Sequence, residues 1–274
     1  MHHIKTHSNS KKLYLFLIFL ICFLLFLAAG FSEKLQTSYY SYTNSKIPPA
    51  FDGYRIIHIS DLHSARFGQK QSILIRAIEK EAPDLIVFTG DTIDGKRCNL
   101  NDVEDLLKGI ASIAPMYAVT GNHDHDNEED YDKLQILYET YHVTELTNEQ
   151  VTLTKDAQNI YLYGLEWGPC TYWNLPKADT SQFNILLFHC TDYFDLIASY
   201  NYDLFLAGHT HGGIIRLPFV GGLLGNSQNL FPKYDSGMFH SGNCTMISSR
   251  GLGKADVPRF FNRPDLVCIT LKSE

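Results

Sequence analysis

Three features are missing from this chain, and each removes a reading. There is no long Lys/Arg run, and the net charge is −7 over 274 residues. A protein that grips nucleic-acid backbone needs a basic footprint, so nucleic acid is not an expected partner. There is no Cys-x-x-Cys pair among Cys22, Cys98, Cys170, Cys190, Cys244 and Cys268. That removes a zinc-ribbon reading. Cys22 lies in an apolar segment, and the five others cannot all pair within one chain, so buried free thiols are expected for most of them. There is no internal repeat and no low-complexity segment, and residues 51–274 read as one undivided domain. Hydrophobic residues make up 45% and charged residues 19%, the profile of a globular chain long enough for a full core.

The N-terminal region is different. Leu13 to Phe31 carries no charge and is preceded by Lys5, Lys11 and Lys12. Nineteen apolar residues at about 1.5 Å each nearly cross a hydrocarbon core. The segment 13–31 therefore reads as a transmembrane anchor. The other reading is a secretory signal cut near Ala28-Ala29-Gly30. The lysines before the segment predict a cytoplasmic N-terminus over 1–12 and a domain on the far side of a cell membrane. Residues 32–50 are rich in Ser, Thr, Tyr and Pro and read as a spacer.

Beyond it, strands and helices alternate. Strands are predicted over 54–60, 85–89 and 116–120, with helices over 69–81, 99–113 and 130–141. This order predicts βαβ units with a parallel sheet. The second half is richer in strands, at 151–154, 160–164, 185–188, 204–207, 245–248 and 266–271. Two sheets packed face to face, with helices outside, accommodate both halves.

The polar residues fall at the strand ends. Successive strands run into Asp61-Leu62-His63, Gly90-Asp91, Gly121-Asn122-His123-Asp124, His189, and Gly208-His209-Thr210-His211. In α/β sheets, ligands bind beyond the carboxyl ends of strands. Residues i and i+2 of an extended segment point the same way, so Asp61 with His63, and His209 with His211, can face one cavity. Imidazole nitrogen with carboxylate oxygen suits Mn, Fe, Zn or Co better than Ca or Mg. The net negative charge fits this, because bound metal can supply the local positive charge that phosphate needs.

These five motifs, in this order, resemble the calcineurin-like metallophosphoesterase superfamily over residues 54–271. The tail Ser249-Arg250-Gly251-Leu252-Gly253, with Phe261-Asn262-Arg263-Pro264, is similar to the bacterial membrane-associated phosphodiesterase branch. The resemblance implies an αββα four-layer sandwich, preceded here by the transmembrane helix. It implies two divalent transition-metal ions, manganese foremost, with zinc, iron or cobalt as alternatives. Asp61, His63 and His211 would hold one ion and Asn122, His189 and His209 the other, with Asp91 bridging. A hydroxide between the metals would attack phosphorus, and His123 would protonate the leaving oxygen, oriented by Asp124. Asp94 stands where purple acid phosphatases carry Tyr, which argues against a tyrosinate-bound ferric site. Ile214 and Thr191 replace the Gln and Pro common in the branch.

The implied substrate is a phosphate ester, in one version lipid-linked. A UDP-sugar-lipid pyrophosphatase is the alternative enzyme, and a non-catalytic metal-binding surface module the alternative of another class. Arg250 reads either as a substrate-phosphate ligand or as a salt-bridged surface residue. The apolar stretch 214–224 reads either as core-edge filling or as an apolar wall beside the site. His58 is expected to be structural, and His142 and His240 to lie at the surface.

Overall fold

A computed structural model describes residues 5–274 apart from 97, 169–172, 174, 226–229 and 255–256, with side chains from residue 11 onward. Cys170 lies outside the described residues. The chain opens with α1 (Lys5–Gly30), whose segment Lys11–Gly30 is long and apolar enough to cross a membrane.

The first sheet has the order β1 (Gln36–Asn44), β14 (Asp265–Ser273), β2 (Arg55–Ile59), β3 (Leu85–Thr89), β4 (Met116–Val119) and β5 (Val143–Glu145). From β2 to β5 the pairing is parallel, while β14 runs antiparallel to β2. The second sheet has the order β12 (Gly237–Ser241), β13 (Cys244–Ser248), β9 (Leu204–Ala207), β8 (Asn184–Leu187), β7 (Gln158–Gly164) and β6 (Glu149–Lys155). A separate hairpin joins β10 (Ile215–Leu217) to β11 (Gly221–Leu224).

Alternation along each central strand builds three hydrophobic layers. Ile56, Leu85 and Val87 from one sheet meet Ile185, Leu187, Leu204 and Leu206 from the other. The opposite face of the first sheet, with Ile57, Ile59, Ile86 and Phe88, packs on α2 (Ser72–Glu81), α3 (Leu100–Ile110) and α4 (Glu128–Thr140). Leu106, Leu107 and Ile110 of α3 are buried at helical spacing, which is why that segment coils. The outer face of the second sheet, with Leu186, Phe188 and Phe205, is covered by the single-turn α5 (Phe194–Ile197) and neighbouring loops. The expected four-layer αββα sandwich is the observed fold, with a slim fourth layer.

The segment 32–50, expected to be a spacer, contains the nine-residue strand β1. β1 pairs in parallel with the whole of β14, from Gln36 opposite Asp265 to Asn44 opposite Ser273. Its tyrosines supply the reason. Tyr42 is buried, packs against Phe183 with tilted rings, and its hydroxyl donates to the Asp203 carbonyl at 3.0 Å. Tyr39 lies on the other face and donates to Glu81 Oε1. Cys190, Cys244 and Cys268 are buried free thiols, and burial pushes Cys190 and Cys244 up to about 12. Cys98 is free and half-buried.

Candidate metal centre

The site forms where strands of both sheets end. Asp61 and His63 follow β2, Asp91 follows β3, Asn122 to Asp124 follow β4, His189 follows β8, and His209 and His211 follow β9. Asp61, His63, Asp91, His209 and His211 all have positive φ, between 47° and 71°. Non-glycine residues rarely take this region, and strain there persists only where the surroundings impose it. Here cross-strand bonds impose it. The amides of Asp61, His63 and Gly208 donate to the carbonyls of Gly90, Asp91 and His189. Gly90 has φ +85°, and a Cβ there would press on Gly121 and the His189 ring, so glycine lets these loops close on one another.

Two groups of candidate donors result. Asp61, His63, Asp91 and His211 bring their ligand atoms within 4.8 Å of one another, and so do Asp91, His189 and His209. Asp91 belongs to both. Its Oδ2 lies 3.6 Å from His63 Nε2 and 3.2 Å from His189 Nε2, while Oδ1 accepts the His123 amide at 2.8 Å. His63 Nε2 faces His211 Nε2 at 3.2 Å, and His209 Nδ1 faces His189 Nε2 at 3.1 Å. Asn122 lies beside this array, and its Oδ1 is buried without a hydrogen-bond partner.

Supporting bonds aim these groups. His189 Nδ1 sits 2.7 Å from the Thr89 carbonyl, so that nitrogen carries the proton and Nε2 turns to the cluster. Asp61 accepts the Ser60 hydroxyl and the His209 amide. Burial lowers His63 and His211 and brings His209 down to about 3, which leaves these imidazoles neutral. Neutral imidazole is the form that binds metal. Burial opposes charge on Asp91 and His189 too, but each stabilises the other. Asp91 is held well below the usual carboxylate range, and His189 is raised to about 9. A cation between them could take the place of the His189 proton.

The role expected of Asp124 is corrected. Its carboxylate accepts three backbone amides, from Asp91, Ile93 and Gly121, and so ties the loops after β3 and β4 together. The His123 ring is instead held by Asp126, with Nδ1 to Oδ2 at 2.6 Å. For Arg250 the structure decides between the two readings. Arg250 pairs with Asp265 and donates to Ser38 Oγ, which is the salt-bridged alternative. The guanidinium near the site belongs to Arg259. Burial lowers it to about 10, and its Nη2 stands 3.2 Å from His211 Nδ1.

No motif in the sequence points to Trp167 either. Its ring lies 5.6 Å from both the His189 and His209 rings. Asp126, at two residues after a motif, was the one of these three with a readable signal. A cleft of about 910 Å³ opens beside His63 and Asp94, between Phe67, Arg259 and Leu35. No residue of 214–224 lines it, so the apolar-wall reading of that stretch does not describe this cleft. His58 is buried against Thr89 Oγ1, as a structural histidine, and His142 and His240 are exposed.

A mixed αββα sandwich whose strand ends gather Asp, Asn and His defines a metal-dependent phosphoester hydrolase, and a sequence profile of the calcineurin-like phosphoesterases matches residues 54–213. The chain belongs to that family. It is 30% identical over 250 residues to an uncharacterized metallophosphoesterase of Bacillus subtilis (strain 168), YkuE, covering 88% of this chain and 87% of that one. It is 28% identical over 228 residues to phosphodiesterase YaeI of Escherichia coli (strain K12), covering 80% and 82%. Among solved structures, a phosphopantetheinyl hydrolase from Mycobacterium tuberculosis aligns with TM-score 0.47 at 13% identity, over 73% of this chain and 91% of that one.

Proposed function

We propose that this enzyme is a membrane-anchored phosphodiesterase with two divalent transition-metal ions, manganese foremost. Asp61, His63 and His211 would hold one ion, Asn122, His189 and His209 the other, and Asp91 both. The observation that carries this reading is the membership of Asp91 in both donor groups. The residues fit such ions in a further respect, since the Asn122 Oδ1 is buried and otherwise without a partner. Nitrogen and oxygen donors of this kind suit Mn, Zn, Fe or Co. When bound, the ions supply positive charge to the phosphoryl oxygens and generate a nucleophile from water near neutral pH.

The chain's own groups do the rest. Asp61, fixed by Ser60 and the His209 amide, and His189, fixed by Thr89, present their donors without reorganising. His123 is half-exposed at the rim with Nδ1 held by Asp126, which leaves Nε2 to protonate the departing oxygen. Nearby carboxylates Asp91 and Asp126 outweigh burial and raise the imidazole, favouring the protonated form needed by an acid. Trp167 covers the His189 and His209 rings and limits water on that side. A proton donor matters wherever the leaving group is a poor alkoxide. The preference for a diester is supported by the name of the E. coli relative, a phosphodiesterase.

The apolar span Lys11–Gly30 supports anchoring, and the lysines before it support a domain outside the cytoplasm. The test is turnover by the full chain in added Mn. Bis-p-nitrophenyl phosphate is expected to be cleaved faster than p-nitrophenyl phosphate. Cleavage of the monoester alone would contradict the diesterase reading.

A further inference from the structure

The hairpin β10–β11 presents an apolar surface that the fold does not cover. Phe219 at its tip is fully exposed and Val220 is 58% exposed. Leu230 and Phe231, which return against β11 through the Leu224–Leu230 bridge and the Phe231 amide to the Leu223 carbonyl, are 72% and 65% exposed. Four large apolar side chains in water on the hairpin and the segment beside it mark a binding surface.

The position of that element says what covers it. The Arg216 amide donates to the Phe260 carbonyl, and the Phe260 amide donates back to Ile214. The next amide, that of Phe261, donates to the Gly30 carbonyl at the end of α1. Phe260 and Phe261 also pack on Phe26, one turn inside the apolar span. The base of the hairpin is thus joined through one short strip of chain to the last turn of the helix. Four residues separate Phe31 from β1, too few for the domain to hang away on a tether. The hairpin itself is braced. Asp235 pairs with Arg216 at 2.7 Å and accepts the Gly222 amide.

We infer that this apolar surface, with Phe219 and Val220 at the hairpin tip and Leu230 and Phe231 beside β11, enters the interface of the same lipid leaflet from which α1 emerges. This rests on the reading of α1 as a membrane anchor. Helix and hairpin together make two points of contact and fix how the domain stands on the bilayer. Aromatic and aliphatic side chains gain free energy at the boundary of headgroups and acyl chains. The same hairpin follows His211 by only three residues, so the contact orients the site toward the leaflet.

The experiment uses the full chain in phosphatidylcholine–phosphatidylglycerol vesicles carrying acyl-chain-brominated lipid. Tryptophan is placed by Phe219→Trp, by Leu20→Trp within α1, and by Ile136→Trp on α4, an exposed position beside the opposite edge of the first sheet. Emission above that of the native Trp167 and Trp173 is read in each. The added emission of the Phe219 and Leu20 variants should be largely lost to bromine, strongest for Phe219 with shallow bromines, while that of the Ile136 variant is retained. If the Leu20 variant is quenched and the Phe219 variant is not, the hairpin contact is overturned and the anchor stands. Equal quenching of the Phe219 and Ile136 variants also overturns it, by showing a domain with no fixed face. If the Leu20 variant escapes quenching, the anchor reading fails and the hairpin contact falls with it.

Discussion

The two oxygens of Asp91 have different commitments. Oδ1 takes the His123 amide and Oδ2 faces His63 and His189. Asp91→Asn keeps the shape and removes the charge shared by both donor groups. Turnover of bis-p-nitrophenyl phosphate should fall by at least about two orders of magnitude, the scale of losing one preorganised electrostatic group. An unchanged rate would refute the shared role. If His123, held by Asp126, protonates the leaving group as proposed, the effect of losing either depends on the basicity of that group. Asp126→Asn and His123→Ala should slow cleavage of alkyl diesters by about 10² or more while sparing p-nitrophenyl diesters, whose leaving group needs no proton. Equal losses on both substrates would assign His123 to the shell and not to proton transfer.

His58 permits a prediction about pH. It is buried with Nε2 on the Thr89 hydroxyl, and burial lowers it to about 3. An unfolded histidine takes a proton at about 6.5. The unfolded chain therefore binds the proton first as pH falls. Stability due to this group is present above about 6.5 and is lost down to about 3, by up to about 1.4 kcal/mol per pH unit. Urea midpoints measured between pH 7 and pH 5 should fall less steeply in His58→Gln than in the parent. Parallel lines would mean that His58 is not held neutral.

At the scale of elements, β1 shows how a polar strand earns its place. Its Tyr42 spans from the first sheet to the Asp203 carbonyl at the start of β9 in the second. Tyr42→Ala should destabilise the domain by about 3 kcal/mol, the usual range for truncating a large buried aromatic. A change below about 0.5 kcal/mol in urea unfolding would show β1 to be a dispensable edge. This strand was illegible in the sequence because Thr37 to Thr43 mixes Tyr with Ser and Thr, without strict alternation and without an aliphatic residue. The central strands were legible for the opposite reason. Leu85–Thr89 and Leu204–Ala207 are buried on both faces, so their apolar runs stand out and their ends coincide with the predicted ones. β12 was missed as β1 was, since Gly237–Ser241 carries His and Ser at a half-exposed edge. The donor residues were legible because chain order places them directly after strands. The partners of His123 and His211 were not. Asp126 is reached through a single 3-10 turn, and Arg259 arrives from a loop 48 residues after His211.

Across the whole molecule, neither sheet forms the site alone. The first sheet supplies Asp61, His63, Asp91 and Asn122, and the second supplies His189, His209 and His211. The tail closes the junction, with the Leu252 and Gly253 amides donating to the carbonyls of Ser60 and Asp61. Ions held between the sheets bind the folded state alone, so removing them should weaken the fold. Chelation should lower the melting temperature by the equivalent of roughly 2–4 kcal/mol if metal stands at 100 to 1,000 times its dissociation constant. An unchanged melting curve after verified metal removal would argue against donors drawn from both sheets. The central claim is that Asp91 joins two ions into one centre, and electron paramagnetic resonance of the full chain titrated with Mn tests it most directly. The account predicts an exchange-coupled pair that saturates at two ions per chain. An isolated six-line spectrum saturating at one ion, or two ions without coupling, would contradict it.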